Sequence, residues 1–233
     1  HRIAVVGFAS QSGYGDNTEL LSIAGSNSGS VGVAYHNITD QNLKDVLQEV
    51  DTSAGQTMVS DAIGALAASG ATQTDLGLDM AQRILSANPV QPNETRNRVV
   101  IVFTDGAPTS FNGFEKDVAN DAITHAGAIK TAGATVYTIG IFSGANAVST
   151  GTEPSGDLGQ NSSSLNSACN WFMQQVSSNN GTPCTPSYYL SAADAGSLSN
   201  IFQQISDNIE TGGSSSTLTE ESVVRDIISP QFT

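Results

Sequence analysis

The sequence predicts an α/β fold of the doubly wound kind, with a mostly parallel sheet flanked by helices. Short apolar, β-branched runs (Ile3 to Phe8, Arg98 to Gly106, Ala134 to Phe142) alternate with stretches whose apolar residues recur at helical spacing. The length, 233 residues, suffices for one large domain with a substantial core but not for two ordinary domains with their linkers.

Ile3 to Phe8 reads as the first strand, apolar on both alternating sets as expected when helices cover both faces. Two short strands are expected around Glu19 to Ala24 and Ser30 to Asn37, within a Gly/Ser/Asn-rich stretch. Thr39 or Asp40 can cap a helix carrying Leu43, Val46, Leu47 and Val50, and a second helix covers Val59 to Ala68, ending at Gly70. Gly70-Ala71-Thr72-Gln73-Thr74-Asp75 opens another helix with Leu76, Met80, Ile84 and Leu85, stopped by Asn88-Pro89.

The run from Arg98 ends abruptly in Asp105-Gly106, a strand followed by a turn. Val118, Ala122, Ile123, Ala126 and Ile129 then mark a long helix closed by Gly133, and the strand Ala134 to Phe142 follows. From Ser143 to Ser187 the chain is Ser/Gly/Asn-rich, longer than the about 12 to 15 residues that a structureless loop usually reaches. Leu165, Ala168, Phe172, Met173 and Val176 place a helix within it, with Trp171 and Phe172 read as core. Tyr188 to Leu190 reads as the last strand, and Leu198, Ile201, Phe202, Ile205 and Ile209 as a last helix packed on the sheet.

Hydrophobic residues make up 38% and charged residues 13% of the chain, so its surface relies on hydroxyls and amides. The balance of 8 basic to 22 acidic residues, a formal charge of −14, repels nucleic acid and anionic membrane surfaces. No apolar run approaches the about 20 residues that span a bilayer. The two cysteines, Cys169 and Cys184, have no Cys-x-x-Cys spacing, which points away from zinc or a redox dithiol and towards a loop-closing disulfide in an oxidising compartment.

Two places combine oxygen donors with a strand end or helix start: Thr72-Gln73-Thr74-Asp75 and Thr104-Asp105-Gly106. A hard cation such as Mg²⁺ takes hydroxyl and carboxylate oxygens in octahedral geometry and keeps positions for water or a ligand. Each piece also has a plainer reading: Thr74 as a helix cap, Thr72 as a turn residue, Asp105-Gly106 as turn chemistry. The hydrolase, zinc-protease, dinucleotide and phosphate-loop motifs are missing. His1, His36 and His125 read as surface or structural residues, so the chain is expected not to be an enzyme.

The succession Gly-Ala-Thr-Gln-Thr, amphipathic helix, Phe-Thr-Asp-Gly strand end, helix, then Val-Tyr-Thr-Ile-Gly-Ile resembles the von Willebrand factor type A family, from Arg2 to about Glu210. The resemblance implies a metal-ion-dependent adhesion site with Thr72 and Asp105 as ligands and Thr74 better placed for capping. The family's Asp-x-Ser-x-Ser loop does not occur, and Ile3 to Phe8 corresponds to the family's second strand. The family's first strand and helix are therefore expected upstream of His1, and Mg²⁺ (or Mn²⁺ or Ca²⁺) is expected to bind this chain weakly.

The expected organisation is a domain over 1–210 incomplete at its N-terminus, a Gly/Ser linker over 211–216, and the start of a following module over 217–233. That tail looks like bacterial surface adhesins and pilus-tip proteins. It implies an extracellular, cell-surface module that binds an acidic group of a host or matrix protein, beside further domains of its parent. A cation-independent structural spacer is the alternative.

Overall fold

Helical spacing and apolar runs become six helices and eight strands among the residues that the computed structural model describes: 1–9, 19–20, 33–34, 38–66, 70–192 and 195–214. The chain divides into two compact units, residues 1–89 with 98–193, and residues 90–97 with 194–233.

The centre of the first unit is a parallel sheet. β6 (Val99–Thr104) pairs with β7 (Thr135–Gly140) along its whole length, Val99 opposite Thr135 and Thr104 opposite Gly140. β7 pairs in turn with β8 (Tyr189–Ser191), giving the order β6-β7-β8. Parallel neighbours need a crossover, and α4 (Lys116–Thr131) supplies it between β6 and β7. Its buried face is mostly alanine (Ala119, Ala122 and Ala126), so the helix lies close against its neighbours, and it packs on α3 (Thr74–Ala87), β7 and α5 (Leu165–Val176).

Gly133, at φ +82°, ends α4 in the left-handed conformation that suits glycine. Arg98 donates to the carbonyls of Ala132 and Leu85, at the C-terminal ends of α4 and α3. Lys130 Nζ does the same for α5, reaching Gln175 O at 2.8 Å and Ser177 O at 3.0 Å. The core between sheet and helices holds Leu78, Val102, Phe114, Val136, Phe172 and Tyr189, with the Phe114 and Phe172 rings edge to face at 6.3 Å. The covering is incomplete over β6, where Ile101 and Phe103 remain exposed.

The N-terminal segment departs from expectation. Ile3 to Phe8 is not one buried strand in the parallel sheet. β1 (Arg2–Ile3) pairs antiparallel with β5 (Gln48–Glu49), and β2 (Val6–Gly7) pairs antiparallel with β3 (Glu19–Leu20), itself paired with β4 (Val33–Ala34). Ile3 is 42% exposed, so its apolar side chain records an edge and not a core position. The remainder of the two strands expected around 19–24 and 30–37 lies outside the described residues, as does His36.

α1 (Asp40–Asp45) is capped by Thr39, whose Oγ1 accepts from Asn42 N while Asn42 Oδ1 accepts from Thr39 N. The chain turns after Val46 into β5, so Leu47 and Val50 are not on this helix. α2 (Ser53–Gly64) begins earlier than Val59, because Thr52 Oγ1 accepts from Gly55 N and caps it there. Leu43, Val46, Met80 and Ile84 form a second, smaller core, with Ala4, Val6 and Leu47 at its margin.

The polar stretch after β7 is held in place by amides on the buried face of α5. Asn170 Nδ2 donates to Gly144 O (2.8 Å), and Asn170 Oδ1 accepts from Asn146 N (2.8 Å) and from Tyr189 Oη (2.7 Å). Gln174 Nε2 reaches Ala147 O and Ser149 O. Asn179 extends the network, donating to Gln174 Oε1 and Ser187 Oγ and accepting from Tyr188 N.

The expected disulfide between Cys169 and Cys184 is not formed; both are free thiols. Cys169 faces the core from α5, and burial pushes its pKa up to about 12. Cys184 is exposed in the loop before β8, where its thiol donates to Asn179 Oδ1. In place of a cross-link, buried amides tie the loops on either side of α5.

In the second unit α6 (Ala195–Ser214) carries the expected apolar stripe only in part. Ile201 and Ile205 are buried, whereas Phe202 is 46% exposed. Asn97 Nδ2 donates to Ile209 O at 3.4 Å. The helix runs through Gly212, Gly213 and Ser214, where a linker was expected, and the segment 217–233 lies outside the described residues. Among the described residues no helix is long and apolar enough to cross a membrane.

Candidate functional site

Asp105 leaves the C-terminal end of β6, the edge where open α/β sheets place their ligands. Thr104 is buried, and its Oγ1 accepts from Gly106 N at 3.3 Å, which tightens the turn and leaves Asp105 exposed. Thr72 arrives from the other side, in the short loop between Gly70, at φ +73°, and the start of α3. Its carbonyl accepts from Thr74 N (3.0 Å) and Thr109 N (2.9 Å), the second being a bond from the loop that follows Asp105.

A Cβ at Gly106 would lie 3.4 Å from Thr72 Oγ1, so the hydroxyl stands against the residue next to Asp105. The two sequence-predicted donors are thus on adjoining loops. Thr74 is not the cap of α3: it is the first helical residue, preceded by Gln73, and its hydroxyl turns back to Thr72 O at 3.4 Å. Asp75, in the first turn of α3, has one carboxylate oxygen with no hydrogen-bond partner among the described residues. Burial raises its pKa, with Asp121 adding to the rise while backbone N–H groups and His125 oppose it. His125 Nδ1 lies 2.8 Å from Gln82 Oε1, a structural contact between α4 and α3.

Sequence reasoning missed the residues that shape the loop after Asp105. Glu115, immediately before α4, accepts from Thr109 Oγ1 (2.9 Å) and Phe111 N (3.0 Å) on Oε1 and from Ser110 Oγ (2.7 Å) on Oε2. Burial works against its ionisation, but the hydrogen bonds from Ser110, Thr109 and Phe111 outweigh it and hold the carboxyl below its usual pKa. An acid at a helix start, with two hydroxyl residues five and six positions earlier, was the available signal. Between the loops lies a cavity of about 300 Å³ lined by Thr72, Gly106, Ala107, Thr109, Phe111 and Asn112, among others.

The donor set suits a hard cation in kind, one hydroxyl and one carboxylate, and the two stand on adjoining loops, with the Thr72 hydroxyl against Gly106. In number they fill two positions of an octahedral shell. Among the described residues no group of three or more His, Cys, Asp or Glu side chains gathers to add to them.

Residues 44–204 match the family model of the von Willebrand factor type A domain, well over half of the chain, with Thr72, Asp105 and Glu115 inside the match. The chain belongs to that family. Such domains are generally protein-interaction modules, often metal-dependent, and the parallel β6-β7-β8 sheet with its flanking helices is the α/β architecture expected of one. No curated protein and no solved structure matches the chain.

Proposed function

We propose that this type A domain is an extracellular adhesion module. In this reading Thr72 and Asp105 hold a divalent cation, Mg²⁺ or alternatively Mn²⁺ or Ca²⁺, at the carboxyl end of the sheet. The observation that carries it is the abutment of the two loops, Thr72 Oγ1 against Gly106 with Thr72 O bonded to Thr109 N. When bound, a hard cation offers its open positions to a carboxylate oxygen of the partner. The site therefore selects an acidic group on a host or matrix protein, and the parent is a surface protein of bacterial adhesin or pilus-tip type.

The surface supports this setting. Fourteen more acidic than basic residues favour divalent cations near the chain, while hydroxyls and amides keep it soluble. We read the chain as a binding module and not an enzyme, because Thr72 and Asp105 suit cation ligation and the sequence carries none of the hydrolase, zinc-protease, dinucleotide or phosphate-loop motifs.

Two protein ligands hold Mg²⁺ or Mn²⁺ weakly, since each remaining position must be filled by water. Calorimetric titration with Mn²⁺ should show weak binding that Asp105→Ala reduces by about tenfold or more, at least the loss that removing an outer-sphere partner causes. Circular dichroism should show the fold unchanged, because Asp105 is exposed and packs no core. Equal Mn²⁺ affinity in the two proteins would mean that the domain is a structural spacer with an idle site.

A further inference from the structure

Thr109 links the two loops of the site. Its N–H donates to Thr72 O at 2.9 Å, and its side chain is buried with Oγ1 donating to Glu115 Oε1, also at 2.9 Å. Glu115 also collects Ser110 Oγ and Phe111 N, and its own N–H donates to Pro108 O at 2.9 Å. Four consecutive residues, 108–111, are therefore bonded to this one residue, and the middle of that run carries the bond to the Thr72 loop. A carboxylate accepting several bonds at once is a stronger organiser than a neutral group, because charge-assisted hydrogen bonds are shorter and stronger.

We propose that Glu115 is a positioning residue for the cation site, holding residues 108–111 in the conformation that keeps the Thr109 N–H on Thr72 O and so holds the Thr72 hydroxyl against Gly106, next to Asp105. The proposal rests on the cation-binding reading of Thr72 and Asp105. Glu115 is not itself a ligand. Its three acceptor bonds are spent on the loop, and it acts on the site only through Thr109. Loops otherwise sample many conformations, and a site assembled from two of them loses its geometry when the tie between them goes.

The test compares four forms of the chain by Mn²⁺ titration and by amide hydrogen exchange: unaltered, Asp105→Ala, Glu115→Ala and Glu115→Gln. Glu115→Ala should weaken Mn²⁺ binding by about 10- to 100-fold, the range for losing a residue that orients a ligand. It should also accelerate exchange at the Thr109 amide. Glu115→Gln should stay within about threefold of the unaltered chain, since its amide oxygen can still accept from Thr109 and Phe111 while its NH₂ can donate to Ser110 Oγ. That rescue separates positioning from a general loss of folding.

If Asp105→Ala weakens Mn²⁺ binding and Glu115→Ala does not, the positioning role is wrong and the cation reading stands. If Asp105→Ala changes nothing, the cation reading has failed and the exchange data judge the tie between the loops. A Thr109 amide that exchanges no faster in Glu115→Ala than in the unaltered chain would then overturn it.

Discussion

β6 and β7 pair over six residues each, whereas the ladders at the N-terminal end of the chain, β1 with β5 and β2 with β3, close after two. Apolar content does not separate them, since Ile3-Ala4-Val5-Val6 is as apolar as Val99-Val100-Ile101-Val102. What differs is what covers them. β6, β7 and β8 place Val102, Val136 and Tyr189 inside the larger core, and α4 and α5 pack on β7. β2 lies against α3, but the N-terminal run reaches the cores only at their margins, Ala4 and Val6 at the smaller and Phe8 at the larger. A strand persists where its own side chains fill a core, and the crossover between parallel strands supplies a helix to close that core.

The comparison can be broken by three substitutions, each followed by chemical denaturation. Phe172→Ala empties the middle of the larger core, where the ring is 1% exposed against Phe114, and should cost about 3–5 kcal/mol. Asn170→Ala tests whether the polar loop belongs to the same cooperative region. It strands the Gly144 carbonyl and the Tyr189 hydroxyl from their partner and should cost about 1–3 kcal/mol. Ile3→Thr, at the exposed end of β1, should change stability by no more than about 0.5 kcal/mol. An Ile3 effect as large as that of Phe172 would mean that the N-terminal ladder is as integral as the central sheet.

The elements most legible in the sequence were those with a long, one-sided pattern. α3, α4 and α5 announced themselves by apolar residues three and four apart, and β6 and β7 by runs rich in β-branched and aromatic residues bounded by Asp-Gly and Gly. Ile3 to Phe8 misled because a short apolar run says that burial is tolerated and not which partner supplies it. Thr72 and Asp105 were legible as a pair of motifs, and the structure sets their loops together. Glu115 and Thr109 were less legible, because their one signal, an acid at a helix start with hydroxyl residues five and six positions earlier, fits a carboxylate that faces water as well as one that bonds a loop. Asn170, Gln174 and Asn179 were hidden for the same reason: amides usually mark surface, and here they are buried because each finds a full set of partners.

The unbridged cysteines give the chain a built-in reporter. Alkylating reagents attack the thiolate, and access decides which thiol they meet first. Cys184 is exposed, whereas Cys169 is sealed in the core with its pKa pushed up to about 12. A maleimide dye therefore decorates the native protein once, in the loop before β8. The second molecule of dye can attach only when α5 parts from the sheet, so the ratio of doubly to singly labelled chains over time becomes a stopwatch for how often the protein breathes open.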